Sequence, residues 1–214
     1  MRKIKGILFD LDGTLINTNE LIIETFQYTY KNILNLDIPR EEIVQYFGEP
    51  LIDTLAKYGP DKVELLLKTY RDYNFQRHDE VTTIFPGVKD TVITLKNQGY
   101  QLAVVTSKKN IGARKGLDLF GLTPYIDFFV GYDDTDKHKP NPDPALKALS
   151  GLKLTPQEAL MIGDSPYDIL CGKNAGTHTA VVKYSEHSLE KLMELKPDYV
   201  LNHLADLLQI LNRP

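Results

Sequence analysis

Residues 4–14 read Ile4-Lys5-Gly6-Ile7-Leu8-Phe9-Asp10-Leu11-Asp12-Gly13-Thr14, and the fold follows from how this stretch changes character. A short apolar run over residues 4–9 predicts a strand buried on both faces. It stops abruptly on two acidic residues and a glycine. The helical pattern then takes over from about Asn17 to Phe85. Ile22, Phe26, Tyr30 and Ile33 fall at i, i+4, i+8 and i+11, which is one face of a helix. Asn17, Thr18 and Asn19 offer N-caps for it. Apolar positions across Val44–Tyr58 and Val63–Phe75 predict further helices, broken at Gly48-Glu49-Pro50 and Tyr58-Gly59-Pro60.

Beyond Phe85-Pro86-Gly87 helix and strand alternate, the pattern of a parallel sheet with crossover helices. Helices are expected at Val88–Gln98, Ile111–Leu119, Pro144–Leu149 and Ile169–Ala175. Strands are expected at Leu102–Val105, Phe128–Val130, Leu160–Ile162, Ala180–Val182 and Tyr199–Leu201. The fold class is therefore α/β, a doubly wound Rossmann-like core over residues 1–16 and 86–214. A helical insertion over residues 17–85 interrupts it just after the first strand. Ligands of open parallel sheets bind outside the carboxyl ends of the strands, so an insertion at that point is expected to act as a cap over the site.

Composition narrows the function classes. The chain has 214 residues, 42% of them hydrophobic and 25% charged, which suits a globular protein with one large domain or a core and a smaller insertion. A net charge of -4 gives no general reason to bind nucleic acid. No apolar run approaches the roughly 20 residues of a membrane span. The basic start at Met1 is followed by an apolar stretch cut short at Asp10, which is not a signal peptide, so a cytoplasmic location is expected. The lone Cys171, in an apolar stretch, reads as a small buried hydrophobe.

Several predicted strands end in polar groups that this topology brings together. Asp10 and Asp12 follow the first, Thr106 and Ser107 the second, and Asp164 the strand at Leu160–Ile162. Asp168 lies four residues past Asp164, and Lys139 sits in a proline-flanked loop. Converging carboxylates repel one another unless a cation intervenes. With oxygen donors alone, and no suitable Cys/His cluster, magnesium is the expected cofactor.

Asp10-Leu11-Asp12-Gly13-Thr14, Thr106-Ser107, Lys139 and Gly163-Asp164-Ser165-Pro166-Tyr167-Asp168, in that order, resemble the four motifs of haloacid dehalogenase-type phosphatases. The resemblance implies that Asp10 is a nucleophile forming an aspartyl-phosphate. It implies that Asp12 protonates the leaving oxygen and then activates water. Thr106, Ser107 and Lys139 would bind the phosphoryl group, Asp10, Asp164 and the backbone carbonyl of Asp12 would hold magnesium, and Asp168 would support them. Dehalogenation at carbon needs neither Asp12 nor the Asp164/Asp168 pair. A phosphonate hydrolase would need a cap lysine, such as Lys31, Lys57, Lys62 or Lys68. A sugar-phosphate mutase shares the core chemistry, and a retired scaffold would have lost a catalytic carboxylate.

Within the cap, Asn17-Thr18-Asn19, Arg71-x-x-Asn74, His78-Asp79-Glu80 and the later Lys196-Pro197-Asp198-Tyr199 resemble bacterial inorganic pyrophosphatases of the PpaX type. That resemblance implies pyrophosphate as substrate, with phosphoglycolate or another small phosphate monoester as the alternative. Asn17, Asn19 and Arg71 are the expected contacts to the leaving group, the two asparagines as amide donors. Arg77 and His78 read as either anion contacts or exposed helix charge, His138 as loop surface, and Tyr167 as a cover over the metal or simple packing. The expected partner is a small phosphorylated molecule, with no nucleic acid or membrane, and the chain is expected to be a monomer or weak dimer.

Overall fold

The computed structural model describes residues 4–211. Its strands are β1 (Gly6–Phe9), β2 (Ile16–Asn17), β3 (Thr83–Ile84), β4 (Gln101–Val105), β5 (Phe128–Val130), β6 (Ala159–Gly163), β7 (His178–Val182) and β8 (Tyr199–Leu201). Six of them form one parallel sheet in the order β5-β4-β1-β6-β7-β8. The chain starts in the middle, moves outward through β4 and β5, then returns to the other side of β1 and moves outward again. The direction reverses between β1 and β6, which is where an open sheet of this kind leaves a crevice. Asp10 follows one of these strands and Asp164 the other.

Alternation along the strands sends side chains to two separate cores. Ile7, Phe9, Leu102, Val104, Leu160 and Ile162 join one buried cluster, while Leu8, Ala103, Val105 and Met161 join the other. Both faces are covered, so the strands read as continuous apolar runs rather than as polar-apolar alternations. The covering helices are α5 (Val88–Asn97), α6 (Asn110–Leu119), α7 (Asp143–Leu152), α8 (Pro166–Ala175), α9 (Leu189–Glu194) and α10 (Asp206–Leu211). The last two were not expected from sequence, because six residues are too few to display a period.

The helical stretch between β2 and β3 comprises α1 (Asn19–Leu34), α2 (Arg40–Val44), α3 (Leu51–Tyr58) and α4 (Val63–Val81). Ile23, Phe26, Tyr30, Ile43, Phe47, Leu55, Leu66 and Tyr70 bury one another in a core of their own. The Phe26 and Tyr70 rings lie 4.8 Å apart, and the Tyr30 hydroxyl donates to the Thr54 carbonyl at 3.3 Å. α1 ends on Asn35 in the left-handed region, a common helix stop. α4 continues past Phe75 to Val81, farther than the expected periodicity, and this carries His78 into a buried position.

β2 and β3 pair antiparallel, Ile16 opposite Ile84. The helical layer is therefore joined to the sheet by two adjacent strands that leave and return beside Asp12–Thr14. Sequence reading missed this ribbon, since two-residue strands carry no pattern.

The central position of β1 makes it sensitive to cavities. Leu8→Ala should destabilise the protein by about 2–5 kcal/mol in denaturant titration. A loss below about 1 kcal/mol would contradict the packing of this side chain in the second core.

Candidate active site

Asp10 continues β1 by one residue, its amide donating to the Ile162 carbonyl at 2.8 Å. Lys139, buried in the loop before α7, donates from Nζ to Asp10 Oδ1 at 2.7 Å and to Asp168 Oδ1 at 2.6 Å. Asp168 is fixed from its other oxygen, which accepts from Ser165 Oγ at 2.6 Å and from the Ser165 amide at 3.1 Å. Ser165 is the N-cap of α8 and Asp168 the third residue of its first turn, a reciprocal capping box. The helix start thereby orients the carboxylate.

One oxygen each from Asp10, Asp164 and Asp168 lie within 4.8 Å of one another, and all three residues are buried. Gly13, at φ 81°, passes so close to Asp164 that a Cβ there would sit 2.4 Å from Oδ2. Only glycine fits both that backbone and that contact.

Burial, and then the neighbouring Asp168 and Asp12, push the Asp10 carboxyl up to about 7 against the pull of Lys139. Burial likewise raises Asp164 well above the usual carboxylate range, helped by Asp10 and Asp168. Burial works against the charge of Lys139, but Asp10 and Asp168 outweigh it and hold the ammonium above its ordinary value. Three buried carboxyls thus share one ammonium. The donor set is all oxygen and short of positive charge, which fits a hard divalent cation.

Asp12 lines the same cavity but is not part of this three-carboxyl cluster. Its Oδ1 accepts from Lys108 Nζ at 2.8 Å and from Thr18 Oγ at 2.8 Å. Lys108 was not expected from sequence; the turn after β4, in which the Lys108 amide donates to Thr106 Oγ at 3.1 Å, brings it in. A cavity of about 270 Å³ opens above these groups, bordered by Asp10, Asp12, Thr106, Ser107, Lys139, Asp164 and Asp168 and by the helical layer.

The other sequence candidates separate clearly. Asn19 and Arg71 border the cavity, whereas Asn17 is not among its lining residues. Asn17 Oδ1 accepts from the Asn19 amide at 3.2 Å, a local turn at the start of α1. Asn19 Nδ2 donates to Glu186 Oε1 at 3.3 Å, which engages one of its two amide hydrogens. Arg77 is drawn to Glu24 at 3.0 Å and to Glu80.

His78 is buried rather than exposed on the helix, with Nδ1 against Asp79 at 2.8 Å; burial lowers its pKa, opposed by Asp79. His138 stacks on Tyr132. Tyr167 packs under Gly48, where an added Cβ would come within 3.0 Å of its ring. Cys171 is buried, as expected, and burial pushes its thiol up to about 11.

A loop after β7 also escaped sequence reading. Ser185 Oγ donates to the Asp164 carbonyl at 2.5 Å. Glu186 accepts from Arg40 at 2.8 Å, and His187 Nε2 lies 3.0 Å from the Phe47 carbonyl.

The model of the haloacid dehalogenase-like hydrolases matches residues 7–182. The chain belongs to this family. A protein of Halalkalibacterium halodurans named pyrophosphatase PpaX is 44% identical over 97% of this chain and 97% of its own length. One of Caldanaerobacter subterraneus subsp. tengcongensis, named provisionally as a pyrophosphatase PpaX, is 51% identical over 98% of this chain and 95% of its own. A solved haloacid dehalogenase-like hydrolase of Streptococcus pneumoniae superposes with a TM-score of 0.88 at 26% identity, covering 98% of this chain and 99% of that one. The chain is accordingly a hydrolase of the haloacid dehalogenase-like family. Among its described residues, no helix is long and apolar enough to cross a membrane.

A carboxyl raised by folding holds a proton that the unfolded chain would release, so its contribution to stability falls as pH rises. For Asp10 the window runs from its ordinary 3.8 to about 7. In metal-free protein, the stability of Asp10→Asn relative to wild type should therefore grow between pH 4.5 and 7.5, by at most about 1.4 kcal/mol per pH unit. Denaturant titration at the two pH values measures it, and a constant or shrinking difference would refute the raised carboxyl. Magnesium at pH 7.5 should raise the wild-type melting temperature, and Asp164→Asn should abolish most of that rise.

Proposed function

We propose that this hydrolase is a magnesium-dependent phosphohydrolase that works through a phosphorylated Asp10 and turns over inorganic pyrophosphate. The observation that carries the chemistry is the buried Asp10–Lys139–Asp168 chain beside Asp164 at the sheet's switch point. The names of full-length relatives support pyrophosphate as the substrate. Asp10 and Asp164, with the backbone carbonyl of Asp12, are the residues that would hold magnesium, and Asp168 supports them through Lys139. The bound ion supplies the positive charge that keeps these carboxylates ionised and neutralises the phosphoryl oxygens.

The chain's own groups perform the rest. An Asp10 carboxylate oxygen bonds to one phosphorus as the bridging P–O bond breaks, and Asp12 gives its proton to the departing phosphate. Water then attacks the aspartyl-phosphate, Asp12 takes up the proton released, and phosphate leaves with Asp10 restored. Lys108 and Thr18 hold one oxygen of Asp12 and so set the direction of the other. Lys139, Thr106 Oγ and the Ser107 amide bind the oxygens of the transferred group.

The catalytic core spans residues 1–16 and 86–214. The helical layer of residues 17–85 serves as a lid hinged on the β2–β3 ribbon, with Arg71 and Asn19 bordering the space for the leaving phosphate. The enzyme is assigned to the cytoplasm, as a monomer or weak dimer.

Asp10→Asn should fold normally and lose nearly all turnover, because an amide cannot form the acyl phosphate. Retention of more than roughly a tenth of wild-type kcat would exclude the covalent route. With magnesium, kcat/KM for pyrophosphate should exceed that for phosphoglycolate and sugar phosphates. A tenfold preference in the opposite direction would remove pyrophosphate and leave the phosphohydrolase class.

A further inference from the structure

The cavity over Asp10 has two chemically different walls. Its floor is the charged cluster described above. Its roof, from α1, α3, α4 and the loop between α2 and α3, is largely hydrocarbon: Phe26, Phe47, Leu51, Ile52 and Phe75, faced across the opening by Ile111 of α6. Three of these are strongly exposed for their type, Ile52 at 41%, Phe75 at 47% and Ile111 at 70%. Large apolar side chains held open to solvent beside an active site mark a surface that a ligand covers.

The cations near the roof are mostly committed. Lys108 pairs with Asp12 at 2.8 Å and Lys109 with Asp133 at 3.5 Å, while Lys139 lies between Asp10 and Asp168. Among the described residues lining the cavity, that leaves Arg71 as the one cation outside an ion pair, and it is exposed. A second phosphate in this space meets one unpaired guanidinium and a few polar side chains, Asn19, Tyr46, Asn74 and the like-charged Glu49, set in a wall that is otherwise hydrocarbon, where desolvating its charge is costly. An apolar leaving group meets the opposite balance, because every methylene it buries against Phe75 or Ile52 leaves water. At about 270 Å³ the cavity also has room beyond the phosphoryl group gripped by the floor.

We propose that the same site hydrolyses phosphate monoesters of short apolar alcohols, with the alkyl or aryl part lying along the lid wall. This activity rests on the phosphohydrolase chemistry of Asp10 but not on pyrophosphate as a substrate. Asp10 bonds to phosphorus as the ester P–O bond breaks, and the alcohol leaves with the proton of Asp12. Water then releases phosphate and returns a proton to Asp12, so that ester and water give alcohol and phosphate.

Ethyl, butyl and hexyl phosphate present the same phosphoryl group and nearly the same leaving-group basicity, so they differ in what the wall can bury. With magnesium, kcat/KM should rise about two- to fourfold per added CH2 until the cavity is filled, the upper figure corresponding to full burial. Phe75→Ser and Ile52→Ser should each cut the hexyl-to-ethyl ratio severalfold, measured within each variant so that any general loss of activity cancels.

A wild-type hexyl-to-ethyl ratio within twofold of one overturns the inference, as does pyrophosphate turnover with no alkyl ester hydrolysed. In either case the apolar walls serve to close on each other rather than on substrate. A rising series with pyrophosphate inert upholds the inference and removes pyrophosphate from the function proposed above. No turnover of any of these substrates sinks both.

Discussion

A single ammonium, Lys139, stands among three buried carboxyls, and the surrounding architecture keeps them there despite the electrostatic cost. Charges of one sign at this distance and burial would normally neutralise or move apart. Here Asp10 is fixed by the strand pairing of β1 with β6, Asp168 by the capping box of α8, and Asp164 by the close passage of Gly13. The frame around them is rigid because both faces of the sheet are packed. What remains unbalanced is negative charge on buried side chains at the floor of a cavity, which is the property needed to hold a hard cation and, through it, a phosphoryl group.

The helical layer depends on the same cluster. It is tied to the core by the β2–β3 ribbon on one side and by the loop after β7 on the other. That loop touches the Asp164 carbonyl through Ser185 and the Phe47 carbonyl through His187, while Glu186 bridges Arg40 and Asn19. Gly48 approaches Ser165 so closely that a Cβ would lie 2.7 Å from its Oγ. The groups that organise the carboxylates are therefore the groups against which the layer rests. In the proposed lid, the choice of leaving group falls on residues that also determine how tightly the layer sits.

Two lines bear on that choice and point in different directions. Full-length relatives are named for pyrophosphate, while the wall above the charged floor is rich in aromatic and aliphatic surface. In the mechanism proposed above, the floor grips only the transferred phosphoryl group and is indifferent to what departs. One site of this construction can serve both an anionic and an apolar leaving group, with Arg71 bordering one part of the space and Phe75 another.

The α/β alternation, the doubly wound class and the identities of the clustered aspartates were legible in the sequence, because they rest on local periodicity and on polar residues ending apolar runs. Asp10, Thr106 and Asp164 announce themselves by interrupting strands, and Gly13 by following two acids. The β2–β3 ribbon, the short helices α9 and α10 and the extension of α4 to Val81 were not legible, since each is stabilised by partners distant in the chain. The same limit hid Lys108 on Asp12, Glu186 on Asn19 and Ser185 on the Asp164 carbonyl. It also hid the burial of His78, whose place in the sequence allows either an anion contact or exposed helix charge.

Sequence by itself determined which carboxyl, hydroxyl and ammonium groups the chain sets at its strand ends and loops, because side-chain type and its place at a strand end are local properties. Tertiary structure alone decided which of those groups share the Lys139 ammonium, which are already paired, and that the wall facing them is largely apolar. Burial and pairing are set by contacts between residues tens to more than a hundred positions apart.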